Sequence, residues 1–531
     1  MSRRRIDTYD TTLRDGAQGE GISFSSAGKL KLAQRLDAFG VDYIEGGFPG
    51  SNPKEMDFFR EVKGCGLKRA RIVAFGSTRR AKMTAATDPQ IQSLVDAGTE
   101  VVTVYGKCWD LHVRDVLHAT PEQNLEMVRD TVRFLRERGR TVIFDAEHFF
   151  DGHQAAPEFA LAVLRAAREA GASMLVLCDT NGGRLPAEVY AVTREVVGAF
   201  DVPIGIHTHN DAGVGVANAL EAVRAGASQV QGTINGYGER CGNADLCTMI
   251  ANLELKMGCD CVGADALRKL RELSLYVDDL VNVRPQAKAP FVGSSAFSHK
   301  AGAHADGVRK NPATFEHVPP EATGNERRFL VSELSGGSSI VAKAIEVGAG
   351  RHVSAEVSRE VLQALKDLEG RGYAFESADA SFRMLVQKVL KQHQPFFGLE
   401  GFRVIVEKRG KDAPCLSEAT VKVRVKDAVE LTVSEGDGPV NALDGALRKA
   451  LTRFYPEIAQ VHLTDFRVRI LDPEEATAAT TRVLIESSDG RDTWGTVGVS
   501  ENVIEASWEA LVDSVEYKLF REEERRRESG A

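Results

Sequence analysis

Eight short apolar runs recur through the first half of the chain, roughly 25–40 residues apart, and this repeat limits the fold more than any other feature. They occupy residues 6–10, 43–46, 72–75, 101–105, 141–146, 174–178, 204–207 and 229–233. Between them lie helical stretches such as 27–39, 121–138, 157–170 and 186–200. Several helices start with a proline in the first turn, where a missing N–H does no harm. Several end near a glycine: Gly40, Gly98, Gly171 and Gly226. Eight β-α repeats over about 250 residues fit a closed (β/α)8 TIM barrel. A doubly wound open sheet is the rival on pattern alone.

A barrel makes a further demand, because its working groups must gather at the C-terminal ends of the strands. Asp15 follows the first run, Glu45 lies in the second and Glu147 follows the fifth. Asp179 and Thr180 follow the sixth, His207 and His209 end the seventh, and Asn243 follows the eighth. Residues i and i+2 of a strand face the same side. His207 and His209 can therefore address one divalent cation, with oxygen ligands from elsewhere. The plainer reading of such a pair is two unrelated histidines of the core or surface. The net charge of −9 is not clustered, which argues against a nucleic-acid partner.

No apolar segment follows Arg3-Arg4-Arg5, and no run of about 18 apolar residues occurs. Neither a secretory signal nor a membrane partner is expected. The eight cysteines form no C-x-x-C pair, and Cys259 and Cys261 lack a second pair to complete a zinc site. Reduced thiols in the cytoplasm are the expectation.

The repeat stops near residue 270. Residues 271–395 read as a charged, helical linker region whose glycine-rich stretch, 297–307, folds back over the barrel mouth. From 396 an α+β domain is expected. Its strands fall at 420–425, 429–433, 466–470 and 481–487, and its helices at 441–454 and 502–521. The charged tail 521–531 is expected to fray. The division is thus 1–270, 271–395 and 396–531.

Asp10-Thr11-Thr12-Leu13-Arg14-Asp15-Gly16-Ala17-Gln18 resembles the opening signature of the DRE-TIM metallolyases, and His207-Thr208-His209-Asn210-Asp211-Ala212-Gly213 resembles their second. Asn235-Gly236-Tyr237-Gly238-Glu239-Arg240-Cys241-Gly242-Asn243-Ala244 resembles the glycine-rich loop of the 2-isopropylmalate, homocitrate and citramalate synthases. Gly436-Asp437-Gly438-Pro439-Val440-Asn441-Ala442-Leu443-Asp444 is similar to the regulatory domain of 2-isopropylmalate synthases. Gly324-Asn325-Glu326-Arg327-Arg328, with Val331-Ser332-Glu333-Leu334-Ser335-Gly336, resembles the long-form citramalate synthases.

The resemblance implies a Claisen-type acyltransferase that adds the acetyl group of acetyl-CoA to a 2-keto acid. It implies a divalent metal ion (Mg, Mn or Zn) on Asp15, His207 and His209, with Asn243 as a further ligand or as a loop-shaping residue. Arg14 is the implied enolate or alkoxide stabiliser, with a structural ion pair as the alternative. Glu147 and Thr180 match substrate-site positions; Glu147 can equally be the partner of a neighbouring cation. Gln18 orients a ligand or Arg14, or simply packs.

His304 is the implied base, with His299 as its competitor and Asp306 as its possible orienter. Gly238, Glu239 and Gly242 form the implied acetyl-CoA loop, where Glu239 and Arg240 fix the loop or meet the thioester. Phe315 stands where the family often carries a tyrosine.

The long-form signature favours pyruvate as acceptor, giving (R)-citramalate on a route to isoleucine. The alternatives are a 2-isopropylmalate or homocitrate synthase with a larger keto acid, a retro-Claisen lyase, and a non-catalytic regulatory homologue. The C-terminal domain is implied to form a homodimer and to bind isoleucine.

Overall fold

Parallel strands covered on both faces need near-continuous apolar runs, and all eight runs become such strands in the computed structural model. It describes residues 3–51, 53–300, 302–330, 355–375, 378–390, 394–471 and 479–528. The Val331–Gly336 part of the long-form signature lies outside them. The strands are β1 (Asp7–Asp10), β2 (Tyr43–Gly47), β3 (Arg71–Ser77), β4 (Val101–Lys107), β5 (Thr141–Glu147), β6 (Met174–Asp179), β7 (Ile204–Thr208) and β8 (Gln229–Gly232).

They close in sequence order, with β8 returning in parallel register to β1 through Asp7↔Gln229 and Asp10↔Gly232. The sheet is a closed barrel, and the open-sheet rival falls. Its interior is filled by Tyr9, Tyr43, Val73, Val101, Ile143, Met174, Val176 and Cys178. A larger apolar layer lies between strands and helices. Leu32 and Leu36 enter it from helix Ser26–Phe39, Val128 and Val132 from helix Pro121–Glu137, and Val163 and Leu164 from helix Pro157–Ala170. Thr120 and Gln123 start helix Pro121–Glu137 with a reciprocal capping box.

The chain divides into two compact units. The first comprises Met1–Phe297 with His317–Arg327. It continues past residue 270, because helix Leu270–Leu280 buries Leu273 and Val277 in the outer core of the barrel.

The second unit comprises Ser298–Glu316 with Arg328–Ala531. Its short strands β9 (Ser298–His299) and β10 (Arg328–Phe329) pair in parallel, and helix Gly302–Lys310 follows β9. Beyond residue 394 lie two antiparallel sheets. One is β11 (Gly398–Lys408), β12 (Cys415–Val425) and β13 (Ala428–Gly436); the other is β14 (His462–Ile470), β15 (Thr481–Ser488) and β16 (Thr493–Ser500). Helices Pro439–Leu451 and Val503–Glu528 share their core through Leu443, Leu447, Leu511 and Val515.

Two corrections concern this region. β11 and β16 are strands that no alternation announced: β11 is largely exposed, and β16 carries Gly495 and Gly498. The tail does not fray at residue 521, since the last helix runs to Glu528. Ion pairs one turn apart support it, Lys518–Glu522 and Arg521–Glu524, and Arg525 also reaches Asp492. All eight cysteines are free. Among the described residues no helix is long and apolar enough to cross a membrane.

Candidate active site and metal centre

β7 delivers His207 and His209 to one face of the barrel mouth, and the turn after β1 brings Asp15 up to them. His207 Nε2 lies 3.3 Å from His209 Nε2, and Asp15 Oδ2 lies 3.4 and 3.8 Å from the two. Three donors held ~2.0–2.2 Å from one cation sit roughly 3.0–3.6 Å apart. The triangle therefore has the size of a coordination site. All three residues are buried, and among the described residues this is the cluster able to hold an ion.

Asp15 and His209 already hold the charge state a ligand needs. Burial works against the charge of His207, but Asp15 raises its pKa overall, so an ion must displace its proton. Burial works against the charge of Asp15, yet the Arg14 guanidinium and His207 hold its carboxyl well below the ordinary carboxylate range. Burial, and then His207, bring His209 down to about 4, so its imidazole is neutral near pH 7. His207 Nδ1 lies 3.1 Å from Gln231 Oε1, which leaves Nε2 to the metal side. Asn243 is buried beside His209, its backbone bridged to it, and its Oδ1 has no hydrogen-bond partner. Nitrogen and oxygen donors of this kind fit a divalent metal ion.

Arg14 is clamped from three sides. Its Nε donates to Glu45, its Nη1 lies 3.2 Å from Asp15, and its guanidinium carbon sits 3.8 Å above the Phe75 ring. Glu45 is fully buried on β2 and also accepts from the Tyr9 and Thr11 hydroxyls. The ion pair foreseen as a structural alternative is thus present, and it aims the guanidinium at the cavity. Burial raises Asp10 and Asp145 to about 7, helped at each by the Glu45 charge.

The cavity above these groups measures about 560 Å3. Arg14, Asp15, Gln18, Glu147, Thr180, His207, His209 and Glu239 all line it. Glu147 is paired with Lys107 at 2.5 Å. Thr180 Oγ1 accepts from the His148 backbone N–H at 2.9 Å, so its own proton remains to donate. Phe48, Phe75 and Tyr105 form an aromatic wall: Phe75 stacks on Tyr105 with centroids 5.3 Å apart, and Phe48 meets Phe75 edge-on.

A second cavity, of about 780 Å3, lies in the same unit and shares Ile22 and Arg240 with the first. Gly238, Gly242, Asn243, Arg271 and Arg284 line it. Gly238 and Gly242 have φ of 154° and 85°. A Cβ on Gly238 would fall 2.2 Å from Asn243 Nδ2, and one on Gly242 would fall 2.0 Å from the Gly236 carbonyl oxygen. These glycines let the loop close on itself around Asn243. Arg240 fixes the loop through paired bonds of 2.8 and 2.9 Å to Asp211, and it donates to the Thr180 carbonyl at 2.8 Å.

His304 is not among the residues lining either cavity. It lies exposed on helix Gly302–Lys310 of the second unit, stacked on Phe315 with centroids 4.1 Å apart. Phe315 thus packs against the histidine beside which the family tyrosine would stand. His299 is buried and bonded to Glu316 at 3.2 Å, a structural arrangement. Asp306 does not orient His304. It pairs with Lys310 at 2.6 Å, because residues two apart on a helix do not face each other.

Sequence reasoning passed over Lys107, Asp145, Gln231 and the aromatic wall. Asp145 precedes Glu147 by two, and Gln229 precedes Gln231 by two, so the same-face rule that found the histidines would have found these. No local pattern marks the wall, whose rings come from three loops or strands.

Residues 5–276 match the HMGL-like family, 291–372 the homocitrate synthase post-HMGL domain-like family, and 376–519 the LeuA allosteric (dimerisation) domain. The (R)-citramalate synthase of Geobacter sulfurreducens is 51% identical, over 98% of this chain and 98% of its own. That of Aquifex aeolicus is 50% identical, over 98% and 99%. A probable 2-isopropylmalate synthase of Methanopyrus kandleri is 34% identical, over 96% and 98%. With the barrel, the Asp-His-His triangle and this full-length likeness together, the chain belongs to the HMGL-like family and, within it, to the (R)-citramalate synthases.

Proposed function

We propose that the barrel mouth condenses acetyl-CoA with pyruvate to give (R)-citramalate and CoA. The observation that carries this reading is the intact set of Arg14, Asp15, His207 and His209 in a chain half identical, along its length, to (R)-citramalate synthases. A divalent ion (Mg, Mn or Zn) held by Asp15, His207 and His209, with Asn243 Oδ1 as a further donor, would polarise the ketone and orient the acid.

The chain's own groups do the rest. Thr180 donates its hydroxyl proton to the keto acid carboxylate. Arg14, with Nε and Nη1 engaged, turns Nη2 to the oxygen that gains charge as the acetyl carbon attacks the ketone carbon. Glu147 and Lys107 hold a charged pair at the cavity edge. His304 is assigned, on the family resemblance, to take the proton from the acetyl methyl. Water then cleaves the thioester, and CoA leaves as its thiol.

Phe48, Phe75 and Tyr105 face the acceptor's side chain and favour the small methyl of pyruvate over a branched group. The adjoining cavity, with Gly238, Glu239 and Gly242 at its loop and Arg240, Arg271 and Arg284 as cations, suits the anionic CoA. The product would feed isoleucine synthesis in the cytoplasm.

The C-terminal domain is read as a homodimerisation and effector module, with isoleucine as the effector. Edge strands β13 and β14 expose Val429, Leu431 and Val433, and Phe466, Val468 and Ile470. Such apolar rows suit a second copy. The division of labour is then chemistry in 1–270, on which helix Leu270–Leu280 packs, and regulation in 396–531. Incubation with carbon-13 acetyl-CoA and pyruvate, followed by chiral chromatography, is expected to yield labelled (R)-citramalate. The (S) isomer, or no labelled acid, would overturn the assignment.

A further inference from the structure

Gln231 lies on β8 in the rung beside His207, completely buried. Its Oε1 is 3.1 Å from His207 Nδ1, while its Nε2 donates to Asp145 Oδ1 and to Gln229 Oε1, each at 3.3 Å. As placed, the amide donates to two oxygens and faces Nδ1 with its own oxygen. Turned over, it would set its oxygen against the ionised Asp145 carboxylate, require Gln229 to turn its amide as well, and offer an N–H to Nδ1. In the direction observed, the amide oxygen requires the proton of His207 on Nδ1. In the neutral ring the Nε2 lone pair then faces the Asp15–His209 side. His209 has no comparable guide, since its buried Nδ1 has no hydrogen-bond partner.

We infer that Gln231 is a positioning residue of the metal centre: through the chain Asp145–Gln231–His207 it selects the tautomer and ring orientation that let His207 bind the ion. The inference rests on the ligand assignment of Asp15, His207 and His209. Histidine ligands in metalloproteins commonly pass their second N–H to such an acceptor, and its loss costs ~10–100-fold in affinity.

The test measures manganese affinity of the chelator-stripped, full-length protein by the electron paramagnetic resonance signal of free Mn(II), independent of turnover. Gln231→Leu is expected to weaken binding about tenfold to a hundredfold. Gln231→Glu keeps an acceptor at Nδ1 and is expected to bind more tightly than Gln231→Leu. A packing role alone orders the two the other way, because the apolar isostere suits the buried site and a carboxylate beside Asp145 does not.

The inference is overturned when Gln231→Leu binds like the parent, or more tightly than Gln231→Glu. His207→Ala separates the two ideas: unchanged binding there refutes the ligand assignment itself, whereas lost binding beside a normal Gln231→Leu refutes only the positioning role. Should Gln231→Leu lose its native circular dichroism, Gln231→Asn is read instead. It draws the amide back from Nδ1 by one methylene and is expected to weaken binding in the same sense.

Discussion

Arg14→Lys tests the reading of the barrel mouth most sharply among single substitutions. The guanidinium serves three neighbours at once, donating to Glu45, lying 3.2 Å from Asp15 and stacking 3.8 Å above Phe75. A lysine ammonium is a point charge on a flexible stem and cannot span the two carboxylates in a fixed plane. One charge-assisted hydrogen bond is lost, worth about 1.5–3 kcal/mol of stability. A larger loss, about 3–5 kcal/mol, attends removal of the charge altogether, as in Arg14→Ala, because Glu45 is then buried without its cation.

Catalysis suffers differently. Loss of one donor aimed at a developing oxyanion costs about 100–1,000-fold in kcat, while the proposed pyruvate contacts of the ion and Thr180 are left in place. Thiol release from acetyl-CoA at saturating pyruvate should therefore fall by that factor, with KM for pyruvate changed less than about tenfold. A kcat within about tenfold of the parent, in a variant whose thermal melt is lowered as expected, would show that Arg14 is a structural ion-pair partner and nothing more.

Other consequences follow from the same geometry. Asp10, raised to about 7 by burial, keeps its proton longer when folded than when unfolded. The folded chain therefore binds more protons between about pH 4 and 7, so stability falls as pH rises through that window and levels off above it. Asp145, raised to about 7 as well, adds a slope of the same sign, so Asp10→Asn should remove only its own share, at most roughly 4 kcal/mol, in urea melts from pH 4 to 8; an unchanged slope assigns it elsewhere. Phe48→Ala opens the aromatic wall and should lower the kcat/KM ratio of pyruvate over 2-ketoisovalerate by at least about tenfold. An unaltered ratio would move the acceptor pocket away from that wall. Leu431, 63% exposed on the edge strand β13, is a natural place to break a dimer. Leu431→Asp should lower the mass measured by light scattering toward that of one chain, whereas an intact dimer would place the interface on another surface.

The barrel was legible because its signal repeats. Short strand-like runs recur at a regular spacing, and a helix such as Pro157–Ala170 carries its own start and stop. The metal triangle was legible because two of its three corners are period-2 neighbours, His207 in β7 and His209 just beyond its end. Its third corner, Asp15, became visible only when strand ends were compared.

Groups whose meaning depends on a distant partner stayed hidden. Glu45 is an ordinary acid in β2 until folding brings against it Arg14, 31 residues earlier in the chain. Lys107 and Glu147 meet only because β4 and β5 pair in register. Local composition likewise misled at the C-terminus. A run of arginines and glutamates reads as a solvated tail, but its one-turn spacing of opposite charges builds a helix to Glu528. Asp306 was a candidate orienter of His304 by proximity in sequence, which a helix turns into separation in space.

The central claim is that this barrel mouth joins the acetyl group of acetyl-CoA to pyruvate. Its most direct test is the initial rate of thiol release from acetyl-CoA, with Mg, Mn or Zn supplied, across pyruvate, 2-ketoisovalerate and 2-ketoglutarate. The account predicts the highest kcat/KM with pyruvate and loss of turnover in Asp15→Ala and His207→Ala proteins that retain their fold. A clear preference for either larger acid, or undiminished thiol release without those two ligands, would contradict it.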